Sequence, residues 1–180
     1  MSPNEAELIA MSMGTDYNVG DILNQTDFDN DLHSLIHRLE PCILELLQRG
    51  IVYVVLTLGK HGVILSSKKP WHIDNEEQKM GDAIKSNYVY YLHFPALQAS
   101  IVSLSGAGDC FVGGTLTGLC LHKDMSSSIA FGIAVATRAI QSELNVPSSL
   151  LTQEDLLGKH QSLASYRLDI FLVHYVNVRP

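Results

Sequence analysis

A run of small residues that ends in an acid is the feature of this chain best suited to chemistry. The run is Ser105-Gly106-Ala107-Gly108-Asp109, and a segment typical of a helix follows it. Small residues let backbone N–H groups crowd together at a helix start, which makes a pocket for an anion. A carboxylate beside such a pocket suits phosphoryl transfer to a hydroxyl, because the amides take the charge and the carboxylate takes the proton. The same letters also describe a tight turn with a helix-capping aspartate.

Two further groups of residues stand upstream of this run. Asn4 and Glu7 are three residues apart at a predicted helix start, so their side chains share one face of the helix. Thr57 lies near the end of a nearly continuous apolar stretch, and Gly59 and Gly62 follow it. A glycine lets a ligand approach the backbone closely. Helix capping by the first pair and a plain hairpin turn at the two glycines are equally simple explanations.

Taken in chain order, these three motifs resemble those of the PfkB/ribokinase family of sugar and nucleoside kinases. That family carries Asp-Thr-x-Gly-Ala-Gly-Asp before a helix, with Asn-x-x-Glu and a strand ending in a Thr-x-Gly turn earlier in the chain. The matching stretches here are Ser2-Pro3-Asn4-Glu5-Ala6-Glu7-Leu8, Val54-Val55-Leu56-Thr57-Leu58-Gly59-Lys60-His61-Gly62-Val63 and the run at 105–109. The resemblance covers residues 1–150 and is strongest to the pseudouridine kinase branch of the family. The tail at 151–180 has no match to the family pattern.

The resemblance implies a fold and an activity. The fold is a ribokinase-like three-layer α/β/α sandwich, of which residues 1–180 form one partial domain, the C-terminal portion that binds nucleotide and carries catalysis. The implied activity is ATP-dependent phosphoryl transfer to a hydroxyl of a sugar or nucleoside, with a pseudouridine-like or ribose-like substrate. The implied cofactors are ATP and Mg²⁺.

The resemblance also implies a role for each matching residue. Asp109 becomes the catalytic base, and the amides of Gly106, Ala107 and Gly108 become the anion hole. Asn4 and Glu7 are implied to organise Mg²⁺, largely through water, and their oxygen atoms are the ligand type that this ion prefers. The remaining residues implied to line the nucleotide are Thr57, Gly59, Gly62, Gly113, Ala134 and Arg138.

Gly113 and its neighbour Gly114 each weaken a helix by about 1 kcal/mol relative to alanine. Two adjacent glycines therefore indicate that something packs tightly there, either the sheet or the adenine ring. For Ala134 and Arg138, ordinary helix packing is the alternative explanation.

The chain departs from the family pattern in two ways. Ser103 and Leu104 stand where the family has Asp-Thr. Serine is a weaker cation ligand than a carboxylate and leucine is none, so activation by a monovalent cation is in doubt. Family members also carry an upstream block with the first strands and most sugar-binding residues, whereas this chain begins at the Asn-x-x-Glu motif. We therefore expect a fragment with an open sheet edge, able to dimerise or to pair with a missing N-terminal half, and with weak or no kinase activity alone.

Composition and charge limit the classes of function. Hydrophobic residues make up 46% of the chain and charged residues 17%, which predicts a single globular domain. The net charge of −7 and the lack of a basic cluster argue against nucleic-acid binding. No apolar run is long enough to span a membrane. The three cysteines, Cys42, Cys110 and Cys120, lack paired spacing and predict reduced thiols in a cytoplasmic protein.

The pattern of the remaining residues predicts the elements that position these groups. Ser2 is predicted to cap the first helix, with Glu5 completing a capping box. A helical stripe of apolar residues follows at 31–48, where Pro41 predicts a kink or a break. The apolar run at 51–58 is typical of a strand inside a parallel sheet. Further strands are predicted at 63–65, 88–94 and 168–176, and further helices at 107–121 and 126–142. Alternating strands and helices predict the α/β class.

Three hypotheses follow, and they differ in whether the chain binds nucleotide and whether it turns it over. A sugar or nucleoside kinase binds Mg-ATP and turns over. A non-catalytic nucleotide-binding or interaction module, which the altered Ser103-Leu104 pair favours, binds without turnover. An unrelated α/β domain with a chance Gly-Ala-Gly-Asp binds no nucleotide.

Overall fold

The computed structural model describes residues 1–13, 32–68 and 89–143, together with the short strand at 169–171. The chain divides into two compact units, and each is described by itself. One comprises Met1–His93 with Asp169–Pro180, and the other comprises Phe94–Leu168. The first unit holds α1 (Glu5–Met13), α2 (Leu32–Gln48), β1 (Tyr53–Thr57), β2 (Val63–Ser67), β3 (Tyr90–Phe94, its last residue at the boundary) and β4 (Asp169–Phe171). The second holds α3 (Ala107–Cys120) and α4 (Met125–Ile140).

The strands form one sheet in the order β1-β2-β3-β4. β1 and β2 pair antiparallel, with Val55 opposite Leu65, and β3 and β4 also pair antiparallel. This antiparallel pairing agrees with the hairpin turn that the two glycines also predict, and it differs from the parallel sheet expected for the apolar run at 51–58. The reason lies in the connection, a short 3₁₀ turn at Gly59–His61, since a parallel crossover needs a dozen or more residues.

A parallel neighbour of β1 does exist, and it is the start of the chain. The N–H of Val55 donates to the carbonyl of Met1 at 2.9 Å, and the N–H of Thr57 donates to the carbonyl of Pro3 at 3.0 Å. A parallel bridge between Asn4 and Thr57 continues this pairing. Residues 1–4 therefore lie extended along β1 before α1 begins.

The core of the first unit lies between the helices and one face of the sheet. Leu8 and Ile9 of α1, Leu39 and Ile43 of α2, and Leu56 of β1 are fully buried in one hydrophobic cluster. The apolar periodicity of the helices predicts this arrangement, because residues three and four apart share a helix face.

Helix α2 runs through Pro41 without a break, so of the two predicted alternatives, a kink or a break, the break is wrong. Proline removes one backbone hydrogen bond and costs about 3 kcal/mol in a helix interior. Here Pro41 is exposed, and the His37 side chain one turn earlier is 85% exposed, so the carbonyl that loses its partner lies on the solvent side. The buried stripe on the opposite face continues past the proline, and its burial offsets the cost.

The second unit is a pair of helices in close contact. A Cβ added at Gly118 would lie 2.8 Å from Cα of Ser128, and one added at Gly114 would lie 2.9 Å from Cα of Gly132. Glycine at these places lets the two backbones approach. The group that packs against Gly114 is therefore α4, which corrects the expectation of a sheet or an adenine ring.

The other face of α3 is apolar but exposed. Val112, Leu116 and Leu119 are spaced i, i+4 and i+7, and Leu116 retains 54% of its accessible surface. Asp124 caps α4, because its carboxylate accepts hydrogen bonds from the N–H and the hydroxyl of Ser127.

Candidate functional site

The run at 105–109 forms the start of helix α3, as the sequence predicts. Gly106 is the N-cap residue with φ 77°, in the left-handed region that glycine adopts without strain. The N–H of Cys110 donates to the carbonyl of Gly106 at 2.9 Å, so regular helical bonding begins there. Gly106 therefore turns the chain sharply, so that the N–H groups of residues 107–109 stand in the first turn of the helix.

Few hydrogen-bond acceptors among the described residues lie within reach of these N–H groups. Within the described part of the chain, the N–H groups of Gly108 and Asp109 have no hydrogen-bond acceptor. The N–H of Ala107 reaches only the carbonyl of Leu104, at 3.3 Å. Unpaired N–H groups at a helix N-terminus carry partial positive charge and attract anions.

Asp109 lies in the first turn of the same helix, and both it and Gly108 are exposed. An acid in the first turn stabilises a helix through its dipole, so a purely structural role is also served. An exposed carboxylate beside free amides can also accept a proton from a bound hydroxyl. The start of α3 thus combines a place for negative charge with a proton acceptor, and phosphoryl transfer uses both.

The loop before the helix is fixed by α4. The N–H groups of Val102 and Ser103 donate to the carbonyl of Ile140, at 2.8 and 3.1 Å. The N–H of Ser105 donates to the Ser103 hydroxyl at 3.3 Å, so this serine helps to shape the turn. Leu104 is 68% exposed and lies in a loop.

Asn4 and Glu7 form a reciprocal capping box at the start of α1. The N–H of Asn4 donates to Oε2 of Glu7, and the N–H of Glu7 donates to Oδ1 of Asn4, each at 2.9 Å. The predicted cap at Ser2 with Glu5 is thus wrong. Both side chains of the true box are exposed, and Oε1 of Glu7 makes no hydrogen bond with the described residues.

The first unit brings this pair next to the turn after β1. Asn4 forms the parallel bridge to Thr57, whose hydroxyl donates to the carbonyl of Pro3 at 3.3 Å. Gly59 and Gly62 have φ of 51° and 90°, in the region that favours glycine. Gly59 is exposed and has open space where a Cβ would stand. Two of the three motifs therefore share one end of β1.

A histidine outside these motifs also contacts the turn. Nε2 of His93, on β3, lies 2.6 Å from the carbonyl oxygen of His61. No spacing or motif in the sequence marks this histidine, because it stands alone among the apolar and aromatic residues of its strand. Its contact is visible only once β3 is placed in the sheet.

The second unit holds the remaining predicted residues. Gly113 on α3 is exposed, and a Cβ there would meet nothing within 4 Å. Ala134 and Arg138 on α4 are half-buried and one helical turn apart, so they share a face of that helix.

Among the described residues there is no group of three or more His, Cys, Asp or Glu side chains that could hold a metal ion. The described helices also include none that is long and apolar enough to cross a membrane.

Comparison with known proteins decides the family. The family model described as pfkB family carbohydrate kinase matches residues 1–150. The chain belongs to this family. A pseudouridine kinase of Arabidopsis thaliana is 32% identical over 197 aligned residues, which cover 97% of this chain and 52% of that kinase.

Solved structures of two ribokinases show the fold. A ribokinase of Thermotoga maritima is 22% identical with a TM-score of 0.57, and the match covers 89% of this chain and 41% of the ribokinase. A ribokinase of Arabidopsis thaliana, solved with ribose and ATP, is 18% identical with a TM-score of 0.54, over 87% of this chain and 39% of that one. The predicted ribokinase-like α/β fold is confirmed, and the chain spans about half the length, or less, of these relatives.

Proposed function

We propose that this chain supplies the ATP site and the catalytic base for phosphoryl transfer to a hydroxyl of a sugar or nucleoside. One observation carries the proposal: the start of α3 presents the free N–H groups of Gly108 and Asp109 beside the exposed carboxylate of Asp109. Membership of the pfkB family supports it.

The chemistry needs positioning, charge stabilisation and a proton acceptor, with little covalent work by the protein. The free N–H groups of Gly108 and Asp109, together with the amides of Gly106 and Ala107 and the helix dipole, stabilise negative charge on the transferring phosphoryl group. The Asp109 carboxylate accepts the proton of the attacking hydroxyl. Its exposure leaves room for that hydroxyl, since no described residue hydrogen-bonds to it.

The residues present fit Mg²⁺ only in a limited way. The capping box uses Oε2 of Glu7 and Oδ1 of Asn4, which leaves Oε1 of Glu7 as the free carboxylate oxygen of the pair. Magnesium keeps several waters and binds proteins through one or two carboxylates together with substrate phosphates. Glu7, with Asn4 as its positioning partner, would therefore hold the ion largely through water. The ion would supply neutralising charge at the phosphates.

The nucleotide lies along open backbone in this proposal. In the first unit, Gly59 has open space where a side chain would stand, so a ligand can approach the backbone there; in the second unit the same is true of Gly113. The other residues proposed to line the nucleotide are Thr57, Gly62, Ala134 and Arg138.

The similarity to a pseudouridine kinase favours a ribose-bearing nucleoside such as pseudouridine as the substrate. Because the chain spans 52% of that kinase, we propose that the substrate is held by the part of the fold that this chain does not match, on the same or a paired polypeptide. The sparse cysteines favour a cytoplasmic location.

The decisive experiment replaces Asp109 with asparagine in the longest reading frame that contains this chain. A positioned general base contributes about 10²- to 10⁴-fold, so Asp109→Asn should lower kcat at least about 100-fold. Mg-ATP affinity, measured by calorimetry, should stay close to wild type, because the amides remain. Asp124→Asn, at the exposed start of the other helix of this unit, is the matched control and should leave kcat unchanged. Turnover retained in Asp109→Asn removes the proposed base.

A non-catalytic nucleotide-binding module is the second candidate. The capping box favours it, because Asn4 and Glu7 already have a folding role. This candidate predicts Mg-ATP binding without turnover on any sugar or nucleoside. An absence of Mg-ATP binding would contradict both candidates.

A further inference from the structure

His93 makes the buried contact between the sheet and the turn that follows β1. The side chain is 9% exposed, and its Nε2 lies 2.6 Å from the carbonyl oxygen of His61, 32 residues earlier. A carbonyl oxygen only accepts hydrogen bonds, so Nε2 carries the proton in this contact. The bond is therefore a donor–acceptor pair with a fixed direction.

Three backbone hydrogen bonds inside the turn hold its shape. The N–H of His61 donates to the carbonyl of Leu58 at 2.9 Å, and the N–H of Gly62 donates to the carbonyl of Gly59 at 3.1 Å. The N–H of Leu58 closes the turn on the carbonyl of Gly62 at 2.8 Å. These three bonds lie within the turn itself. The bond from His93 ties it instead to another strand of the sheet.

We propose that His93 is a positioning residue for nucleotide binding. By holding the His61 carbonyl, it fixes the backbone between Gly59 and Gly62 in the shape that receives the nucleotide. This inference rests on the proposed function, which places the nucleotide along the same turn. His93 itself touches no ligand and acts only through the turn.

The test compares two side chains of similar length. His93→Gln keeps an N–H donor close to the position of Nε2, whereas His93→Met fills similar space without a donor. We expect His93→Met to weaken Mg-ATP binding by about 3- to 10-fold, the range that loss of one ordering hydrogen bond gives. His93→Gln should bind within about twofold of wild type. Calorimetry on the whole chain measures both affinities.

Loss of stability alone must not be mistaken for loss of positioning. Leu39→Ala removes a fully buried side chain of α2 in the same unit and changes no residue of the proposed site, so it tests loss of stability by itself. While folded, it should bind Mg-ATP like wild type. Backbone amide shifts of Gly59 and Gly62 should move in His93→Met and stay in place in His93→Gln. If His93→Met does not fold, His93→Asn serves instead, because its shorter side chain carries the donor away from the carbonyl.

The outcomes distinguish failure of the role of His93 from failure of the proposed function. A wild-type chain that binds no Mg-ATP overturns the proposed function and the role of His93 with it. A wild-type chain that binds, together with a His93→Met variant that binds equally well, overturns only the role of His93. Weak binding by both His93→Met and His93→Gln also overturns it, since the donor would then not be what matters.

Discussion

The adjacent glycines Gly113 and Gly114 should respond in opposite directions to replacement by alanine. Both lie inside helix α3, where alanine is the better helix former. Gly113 is exposed, and an added Cβ would meet nothing within 4 Å. An added Cβ at Gly114 would lie 2.9 Å from Cα of Gly132 and 3.0 Å from a methyl group of Val135. Gly113→Ala therefore gains helix propensity without a steric clash. Gly114→Ala gains the same propensity but introduces a clash with α4.

The size of each effect follows from these contacts. Gly113→Ala should stabilise the protein by about 0.5–1 kcal/mol, the usual difference between glycine and alanine in a helix interior. Gly114→Ala has the same gain but meets backbone that cannot rotate away, and overpacking of this kind costs about 1–3 kcal/mol. We expect Gly114→Ala to be the less stable variant by about 1–3 kcal/mol. In a chain of this size, each kcal/mol moves Tm by about 2–4 °C.

Urea denaturation followed by circular dichroism measures both variants against wild type, and an unchanged slope shows that the midpoints report stability. Equal midpoints for the two variants would refute the close approach of α3 and α4 at Gly114. The same pair then tests the nucleotide site. Gly113→Ala should weaken Mg-ATP binding despite its greater stability, because the added methyl group occupies the open space proposed for the ligand. Unchanged affinity in Gly113→Ala removes Gly113 from that site.

Two further predictions concern helix caps. Asp124→Ala should destabilise the second unit by about 1 kcal/mol, as loss of an N-cap does, and thermal unfolding measures it. Burial alone would raise the pKa of Asp124, but hydrogen bonds from the hydroxyl and N–H of Ser127 and from the N–H of Ser126 outweigh it and lower that pKa. The ionised Asp124 therefore stabilises the fold above its unfolded-state pKa, and this stabilisation is lost as the pH falls through its folded-state pKa. Asp124→Asn should reduce the loss of unfolding free energy at acid pH. An unchanged pH dependence of the unfolding free energy would contradict this reasoning. Glu7→Gln keeps the capping box but removes the charge. The free energy of unfolding should therefore stay within about 0.5 kcal/mol of wild type in thermal unfolding. Mg²⁺-dependent ATP binding should weaken, and calorimetry with and without Mg²⁺ measures this.

Helix α3 illustrates what local sequence signals can predict. The predicted helix at 107–121 and the observed Ala107–Cys120 differ by one residue, because the signals at its start are local. Gly106 supplies the left-handed turn, and small residues after it open the helix. The helix predicted at 126–142 and the observed Met125–Ile140 agree for a similar reason, since Asp124 caps it. Chain-local chemistry fixes such boundaries without help from the rest of the fold.

The first helix shows where local signals fail. Ser2 with Glu5 and Asn4 with Glu7 both have the three-residue spacing of a capping box, so the sequence alone offers two starts. Pairing with β1 selects between them, because hydrogen bonds to the carbonyls of Met1 and Pro3 hold the first residues extended. Long-range pairing of this kind is invisible in a local pattern. The contact of His93 with the turn was missed for the same reason.

The three motifs do not carry equal weight as evidence for function. The capping box gives Asn4 and Glu7 a complete folding role, so their presence alone does not require a metal ion. Gly106 is likewise explained by its positive φ. Gly108 is different, since it has no positive φ, is exposed, and has nothing within 4 Å of where a Cβ would stand. No contact among the described residues requires glycine there, and alanine would favour the helix. A ligand that approaches the backbone at Gly108 would explain the residue, and we propose that this ligand is an anion, because the N–H groups on either side of its Cα are free.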